Sequence, residues 1–436
     1  MARFLVATYP SPGHVAPAAA VVRELSGGGH DVRWYTGSRF VEVVADSGAR
    51  FCPMAKSLDW DYNDLNSSFP GRADLKGLKQ GQFDLTEIFV RPLRHHLPAL
   101  AALTREEPAD VFVSHTIFLG GGWLHEMGGP PNASLGDTCL AYPSTDVAPY
   151  GMGLPPRGGW TGHLRNSALR AIGRAAFFSP VTKAAREVRA ELGLPPVPIR
   201  DLGFGLSPYL HIQLCPRGFE YPRPDLPPQV HFVGAPLPAA PAGFADNQPS
   251  WWPRLSEAKH VALVTQGTIA TDPNDLLAPC LKGLSGQDLF VVATTGGADP
   301  AVLGDPPANA VVERFVPFSA LLPHVDVMVS NGGFGAVQLA IANGVPMVVA
   351  GTSEDKKEVT AHVGWSGIGI NLRTSRPSPA VIADSVGQVL NEPGFRERTR
   401  ALQAETNGTS PARAAADLLE GLAVRGGDSV RSRDTR

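Results

Sequence analysis

The sequence predicts an α/β protein made of two doubly wound domains that face each other across a cleft. Three observations predict it. A chain of 436 residues is too long for one ordinary domain and suits two of about 200 residues each. Apolar strand-like runs alternate with helix-like patterns, which is the grammar of a parallel sheet wound with helices. That grammar breaks off at a proline-rich stretch near residue 236 and then starts again.

In chain order, "RFLVATY" reads as the first strand and "GHVAPAAAVVREL" as a helix ended by the glycines at 27–29. "HDVRWYT", "SRFVEVVADSG" and "ARFCPM" continue as strand, helix and strand. The alternation resumes at "PADVFVSH" (108–115) and "DTCLAY" (137–142). Two irregular stretches interrupt it. Residues 55–90 carry Trp60, Tyr62, Phe69, Phe83 and Phe89, and residues 143–227 carry many prolines among short helical patterns. Long aromatic-bearing insertions in such a fold cover pockets, so Trp60, Phe83 and Phe89, with Asp146 as a polar group, are candidate contacts for an apolar ligand.

"PPQVHFVGAPLPAAPAG" (227–243) reads as a last strand running into a linker. The expected units are a first domain over 1–235, a linker over 236–250 and a second domain over 251–405. A helix over 406–424 is expected to pack back on the first domain, ahead of a polar, disordered tail at 425–436. In the second domain "HVALVTQGT", "DLFVVATTGG", "NAVVERFV", "VDVMVS", "GVPMVVAG" and "GIGINL" supply the strands.

Composition narrows the function classes. Hydrophobic residues, at 43%, are ample for two cores, while charged residues reach only 18% and the net charge is −3. No basic field is available to attract nucleic acid or an anionic membrane. The 47 glycines and 41 prolines follow no period, which excludes collagen and low complexity. Cys52, Cys139, Cys215 and Cys280 lie far apart without a CxxC. Neither a disulfide framework nor a zinc site is expected, and a reducing cytoplasm fits. The N-terminal apolar run is too short for a signal-peptide core, and no stretch approaches the ~20 apolar residues that span a membrane.

The chemistry is carried by turns at strand ends. "SNGGFGAVQLA" (330–340) follows the buried-strand pattern "VDVMVS" and opens a helix. Glycines admit a ligand to the backbone, and the first helical N–H groups point outward, so a phosphate fits; the alternative is a tight packing turn. A dinucleotide fingerprint is disfavoured, because it belongs in the first strand–helix unit. In "AGTSEDKKE" (350–358), Glu354 and Asp355 can accept hydrogen bonds from vicinal hydroxyls, or simply favour a helix N-terminus. Beside a phosphate turn they suggest a nucleotide sugar. "SPGHVAP" (11–17) puts His14 at a helix start, where the dipole favours neutral imidazole and hence a general base; a capping or packing role is the alternative. "DWD" (59–61) is a possible metal turn but reads more simply as a solvated one, and no HxH or HExxH spacing occurs.

Taken together, "GHVAP", "VTQGT", "ERFVPFSALLPHVD", "NGGFGAVQLAIANGVPMVVAG" and "EDKKE" resemble the nucleotide-sugar-dependent glycosyltransferases of the two-domain GT-B fold. The likeness is to bacterial macrolide and flavonoid glycosyltransferases and covers about residues 3–424. It implies two Rossmann-like domains and an inverting, metal-independent transfer without a cofactor. The implied donor is a UDP- or dTDP-sugar and the implied acceptor an apolar small molecule, in a monomer or homodimer with no membrane insertion. By position, His14 falls on the family's catalytic base, and Gly267 and Thr268 on a loop near the donor. Val316 and Pro317 fall on the segment whose backbone meets the nucleobase. Asn331, Gly332, Gly333, Gly335, Ala336 and Val337 fall on the diphosphate turn, and Glu354 and Asp355 on the loop that reads the sugar.

Four positions depart from the pattern. Asn331 replaces the usual His, and Val337 the usual Ser or Thr. Leu339 replaces the Glu that grips the uridine ribose, which brings dTDP forward beside UDP. His115 stands where the Asp that pairs with the base is expected, so it enters the catalytic set and the resemblance leaves the dyad without its acid. Two other readings fit the same architecture: a nucleotide-sugar epimerase, and a binding protein that has lost catalysis.

Overall fold

A computed structural model describes residues 1–199, 206–238, 243–267, 272–353, 355–406, 408 and 410–426. It contains two all-parallel sheets. The first has seven strands in the order β3-β2-β1-β4-β5-β6-β7. They are β1 (Arg3–Ala7), β2 (Asp31–Thr36), β3 (Arg50–Pro53), β4 (Val111–His115), β5 (Asn132–Gly136), β6 (Leu210–Gln213) and β7 (Val230–Phe232). The second has six in the order β10-β9-β8-β11-β12-β13. They are β8 (Val261–Thr265), β9 (Phe290–Thr294), β10 (Ala310–Glu313), β11 (Val327–Ser330), β12 (Met347–Val349) and β13 (Gly369–Asn371). Central strands such as β4, β8 and β11 are buried along their whole length, as parallel strands covered by helices on both faces must be.

Five helices matter below: α1 (Pro12–Gly27), α2 (Gly159–Gly173), α3 (Phe334–Ala342), α4 (Lys356–Ser366) and α5 (Pro411–Arg425). In each sheet the strand order reverses once, between β1 and β4 and between β8 and β11. Loops on either side of such a reversal part at the carboxyl ends of the strands and leave a crevice there, so each sheet presents one site to the other.

One strand differs from the sequence reading. "DTCLAY" was the expected strand, but the strand is "NASLG", and Asp137 follows it. Asn, Ser and Gly are poor strand formers in isolation. Here β5 is central and pairs with β4 through His115↔Leu135 and with β6 through Gly136↔Gln213. That shift moves Asp137 from the amino edge of the sheet to its carboxyl edge. Strand β6 was not read from the sequence at all.

The chain passes between the two sheets twice. After β7 it enters the second unit, and after residue 404 it returns. On the return, Ala415, Ala416, Leu419 and Leu422 of α5 sit in the same apolar core as Val6, Val22 and Ile212 of the first sheet and its helix. The two passages touch: a Cβ on Gly234, whose φ is +86°, would lie 2.4 Å from Thr406 Cγ2. Residues 239–242 of the expected linker, and the expected tail from 427 onward, lie outside the described residues.

Candidate active site

Pro12 starts α1, a position where its missing N–H costs nothing, and the turn from β1 into α1 brings His14 to the crevice. His14 Nδ1 lies 2.5 Å from Asp137 Oδ2. The carboxylate is an acceptor, so Nδ1 carries the proton and Nε2 keeps its lone pair. The His14 side chain is 24% exposed and that of Asp137 only 5%. The expectation of a dyad without its acid is therefore corrected. The acid comes from the end of β5, and His115 occupies the end of β4.

His115 is buried and stacks on His14, with ring centres 4.0 Å apart and planes 18° apart. The Tyr9 backbone N–H donates to its Nε2 at 3.3 Å. That bond places the His115 proton on Nδ1, which has no hydrogen-bond partner and lies 3.6 Å from Asp137 Oδ2. Burial first, and then the neighbouring His14, push the His115 pKa well below its ordinary value. His115 is thus a neutral ring that walls one face of His14, with its Nδ1 near the carboxylate but not bonded to it. Asp110, at the other end of the strand, bonds the Arg3 N–H and guanidinium and is structural.

On the facing sheet, β11 ends at Ser330 and the glycine turn follows. Gly332 has φ +78°, and a Cβ there would strike Thr360. Gly333 caps α3 with an ordinary φ of −63°, so its backbone angles do not require glycine. A Cβ on Gly333 would meet only Asn331 Oδ1, at 3.8 Å, and one on Gly335 would meet nothing within 4 Å. Both glycines thus open onto free space. The first helical bond runs from Val337 N–H to Gly333 O, and no side chain caps the helix. Among the described residues the N–H groups of Phe334, Gly335 and Ala336 have no partner, and they stand at the positive end of the helix, where an anion would be favoured. The Asn331 amide donates to Gln266 O, which fastens the turn to the end of β8 beside Gly267. Val337 is buried in the core and offers only its backbone.

Val316 is also buried, but Phe315 before it is 72% exposed, an aromatic face that sequence reasoning overlooked. Leu339 is half-buried against the second core. Thr268 and Glu354 lie outside the described residues. Asp355 is half-buried and accepts from Thr138 Oγ1 at 3.1 Å, and Thr138 Oγ1 also bonds the Tyr150 hydroxyl at 2.8 Å. Burial raises the Asp355 pKa; the Thr138 bond opposes that, Asp137 adds to it, and His14 opposes it. Asp355 thus lies within electrostatic reach of the His14–Asp137 pair.

More contacts join the two units. Glu358 accepts the N–H groups of Gly151 and Gly153 at 3.0 and 2.9 Å. Glu220 accepts from the Leu140 N–H at 2.6 Å and from Arg223 at 3.0 Å, and it faces His362 Nε2 at 3.3 Å.

Trp60 and Phe89 pack on the buried cluster of Tyr9, Phe118 and Leu97 next to the dyad. Phe83 is half-buried at the end of a short helix and is not part of that cluster. Asp146 stands apart: His163 holds its carboxylate at 2.6 Å, and it lines a second cleft with Arg217, Tyr221 and Trp365. His14, His115 and Asp137 could bring one ligand atom each within 4.8 Å of the others. In the arrangement seen, both Nδ1 atoms face the Asp137 carboxylate and no residue bonds His14 Nε2 among the described residues.

Residues 280–420 match the family described as Erythromycin biosynthesis protein CIII-like, C-terminal domain. The chain is 42% identical to 4'-demethylrebeccamycin synthase of Lentzea aerocolonigenes over 424 residues, covering 97% of this chain and 99% of that one. It is a GT-B glycosyltransferase of the natural-product type. This glycosyltransferase is also 32% identical to UDP-glycosyltransferase 2 of Phaeomoniella chlamydospora, over 96% and 95% of the two chains. Its fold matches the crystal structure of CalG4, the calicheamicin glycosyltransferase, with a TM-score of 0.75, covering 98% and 99% of the chains at 23% identity. Among its described residues no helix is long and apolar enough to cross a membrane.

Proposed function

We propose that this glycosyltransferase moves a sugar, with inversion, from a nucleoside-diphosphate sugar to a hydroxyl of an apolar small molecule. The observation that carries the reading is the His14–Asp137 dyad, placed one peptide unit from the Thr138–Asp355 contact to the facing sheet. The acceptor lies against Trp60 and Phe89. Its oxygen attacks the anomeric carbon as His14 Nε2 takes the hydroxyl proton, and Asp137 stabilises the imidazolium that forms. The bond from the anomeric carbon to the diphosphate oxygen breaks, and its electron pair leaves with the diphosphate. The N–H groups that open α3 receive that charge, so no metal is needed. Asp355 reads sugar hydroxyls, and Phe315 stacks on the base.

The donor is a UDP- or dTDP-sugar. The apolar Leu339 leaves the ribose without a carboxylate partner, so the two nucleotides are bound comparably. The four cysteines are free and buried, which suits a reducing cytoplasm.

A screen of UDP- and dTDP-sugars against phenolic and macrolide acceptors tests the reading, with His14→Ala as control. Turnover should require both substrates, and His14→Ala should lose on the order of 10²–10⁴-fold in kcat with nucleotide affinity unchanged. Turnover of donor alone, into an epimer, would overturn it.

A further inference from the structure

We propose that α2 is a docking face for an anionic lipid surface. The helix leaves its apolar side uncovered: Trp160 is 79% exposed, Leu164 65% and Ile172 59%. With Ala168 these recur every four residues, and the exposed Ala171 and Ala175 fill the stripe between them. Isolated exposed apolar residues are ordinary, but a continuous face opening on a tryptophan is not.

Charge decides the occupant. Between Asp146 and Glu187 the sequence contains no acidic residue, yet it contains Arg157, Arg165, Arg170, Arg174, Lys183 and Arg186. Arg157, Lys183 and Arg186 are exposed. Arg165, next to Leu164, is held by a hydrogen bond to the Pro155 carbonyl, whereas Arg170 turns inward to the carbonyls of Ser144 and Val147. The net charge of −3 averages this local field away. A helix with an apolar face, basic flanks and an aromatic residue at one end has the chemistry of an interfacial helix that lies in the headgroup layer.

A second copy fits less well. A two-fold pairing of this face would bring Arg157 and Arg165 of one helix near those of the other, and the carboxylate beside the helix, Asp146, is already held by His163. Position also favours lipid. Past its end α2 runs through 174–178 into Phe177 and Phe178, which pack on the apolar cluster that Trp60 and Phe89 join. The face therefore adjoins the apolar cluster next to the dyad.

The test is sedimentation of the full chain with vesicles of phosphatidylcholine alone or with about one third phosphatidylglycerol, at about 0.1 M salt. Binding to the anionic vesicles should be at least about tenfold stronger and should weaken at high salt. Trp160→Glu and Leu164→Glu should abolish it, and Trp160→Phe should keep it. Each should leave turnover of a water-soluble acceptor unchanged, since these exposed residues lie outside the transfer machinery. The proposal is overturned if the parent chain stays in the supernatant with anionic vesicles, or if Trp160→Glu still binds them. It is equally overturned if sedimentation equilibrium shows that Trp160→Glu splits a dimer, because the face is then an interface between copies.

Discussion

Replacing Asp137 by Asn tests the dyad with the least disturbance of shape. The amide can still accept the Nδ1–H of His14 and hold the tautomer, but it cannot stabilise an imidazolium. The pair is half-shielded, with His14 24% and Asp137 5% exposed, so an intermediate effective dielectric applies. Two unit charges about 4 Å apart at an effective dielectric of about 20 attract by ~4 kcal/mol. The retained neutral hydrogen bond returns about 1 kcal/mol of that. The net loss of ~3 kcal/mol in the transition state corresponds to about 10²-fold in kcat. Initial rates with an alkyl alcohol acceptor and a phenolic acceptor, each across pH, measure it. The deficit should be full for the alcohol and shrink for the phenol as pH approaches its pKa, because an ionised acceptor needs no base. Titration with the nucleoside diphosphate should show unchanged affinity. A folded variant that loses less than tenfold with the alcohol, or the same factor with the ionised phenol, would refute the assignment.

The swapped geometry predicts that His115→Asp, added to Asp137→Asn, regains part of the lost rate, because it restores a carboxylate at the end of β4; a double variant no faster than Asp137→Asn counts against this. Gly333→Val should fold normally, since its φ of −63° and open surroundings tolerate a side chain, yet bind the nucleoside diphosphate at least about tenfold more weakly by calorimetry. Phe315→Ala should cost about 1–3 kcal/mol of nucleotide affinity through lost stacking, without changing the preference between sugars. Activity should persist after EDTA treatment and dialysis, and restoration by added metal would count against the proton-handling reading. Burial would raise the Glu220 carboxyl, but the facing His362 and Arg223 outweigh it and hold it at about 2, below its ordinary 4.5. A depressed acid stabilises the fold fully above pH 4.5 and loses that contribution as pH falls toward 2. Melts of the parent should therefore weaken over that window by on the order of 3 kcal/mol, and melts of Glu220→Gln should be flatter there.

Much of the fold was legible because parallel strands buried on both faces leave long apolar runs, and because glycines mark the turns after them. The glycine turn after β11 was legible for the same reason: a strand, glycines and a helix start are contiguous in sequence. Asp137 was not. Its strand, "NASLG", gains its strand character from two neighbouring strands and not from its own side chains, so the aspartate was read at the wrong edge of the sheet. Phe315 was passed over because exposure cannot be read from an apolar run. The contacts of Glu220 with His362 and of Thr138 with Asp355 join residues more than 100 positions apart, and no local pattern announces them.

The two passages of the chain between the sheets touch at Gly234 and Thr406. One crossing point means that a single substitution loads the outgoing and the returning chain together. Gly234→Ala, at a φ of +86° and with its Cβ 2.4 Å from Thr406 Cγ2, would push the two passages apart at a place remote in sequence from His14 and Asp137.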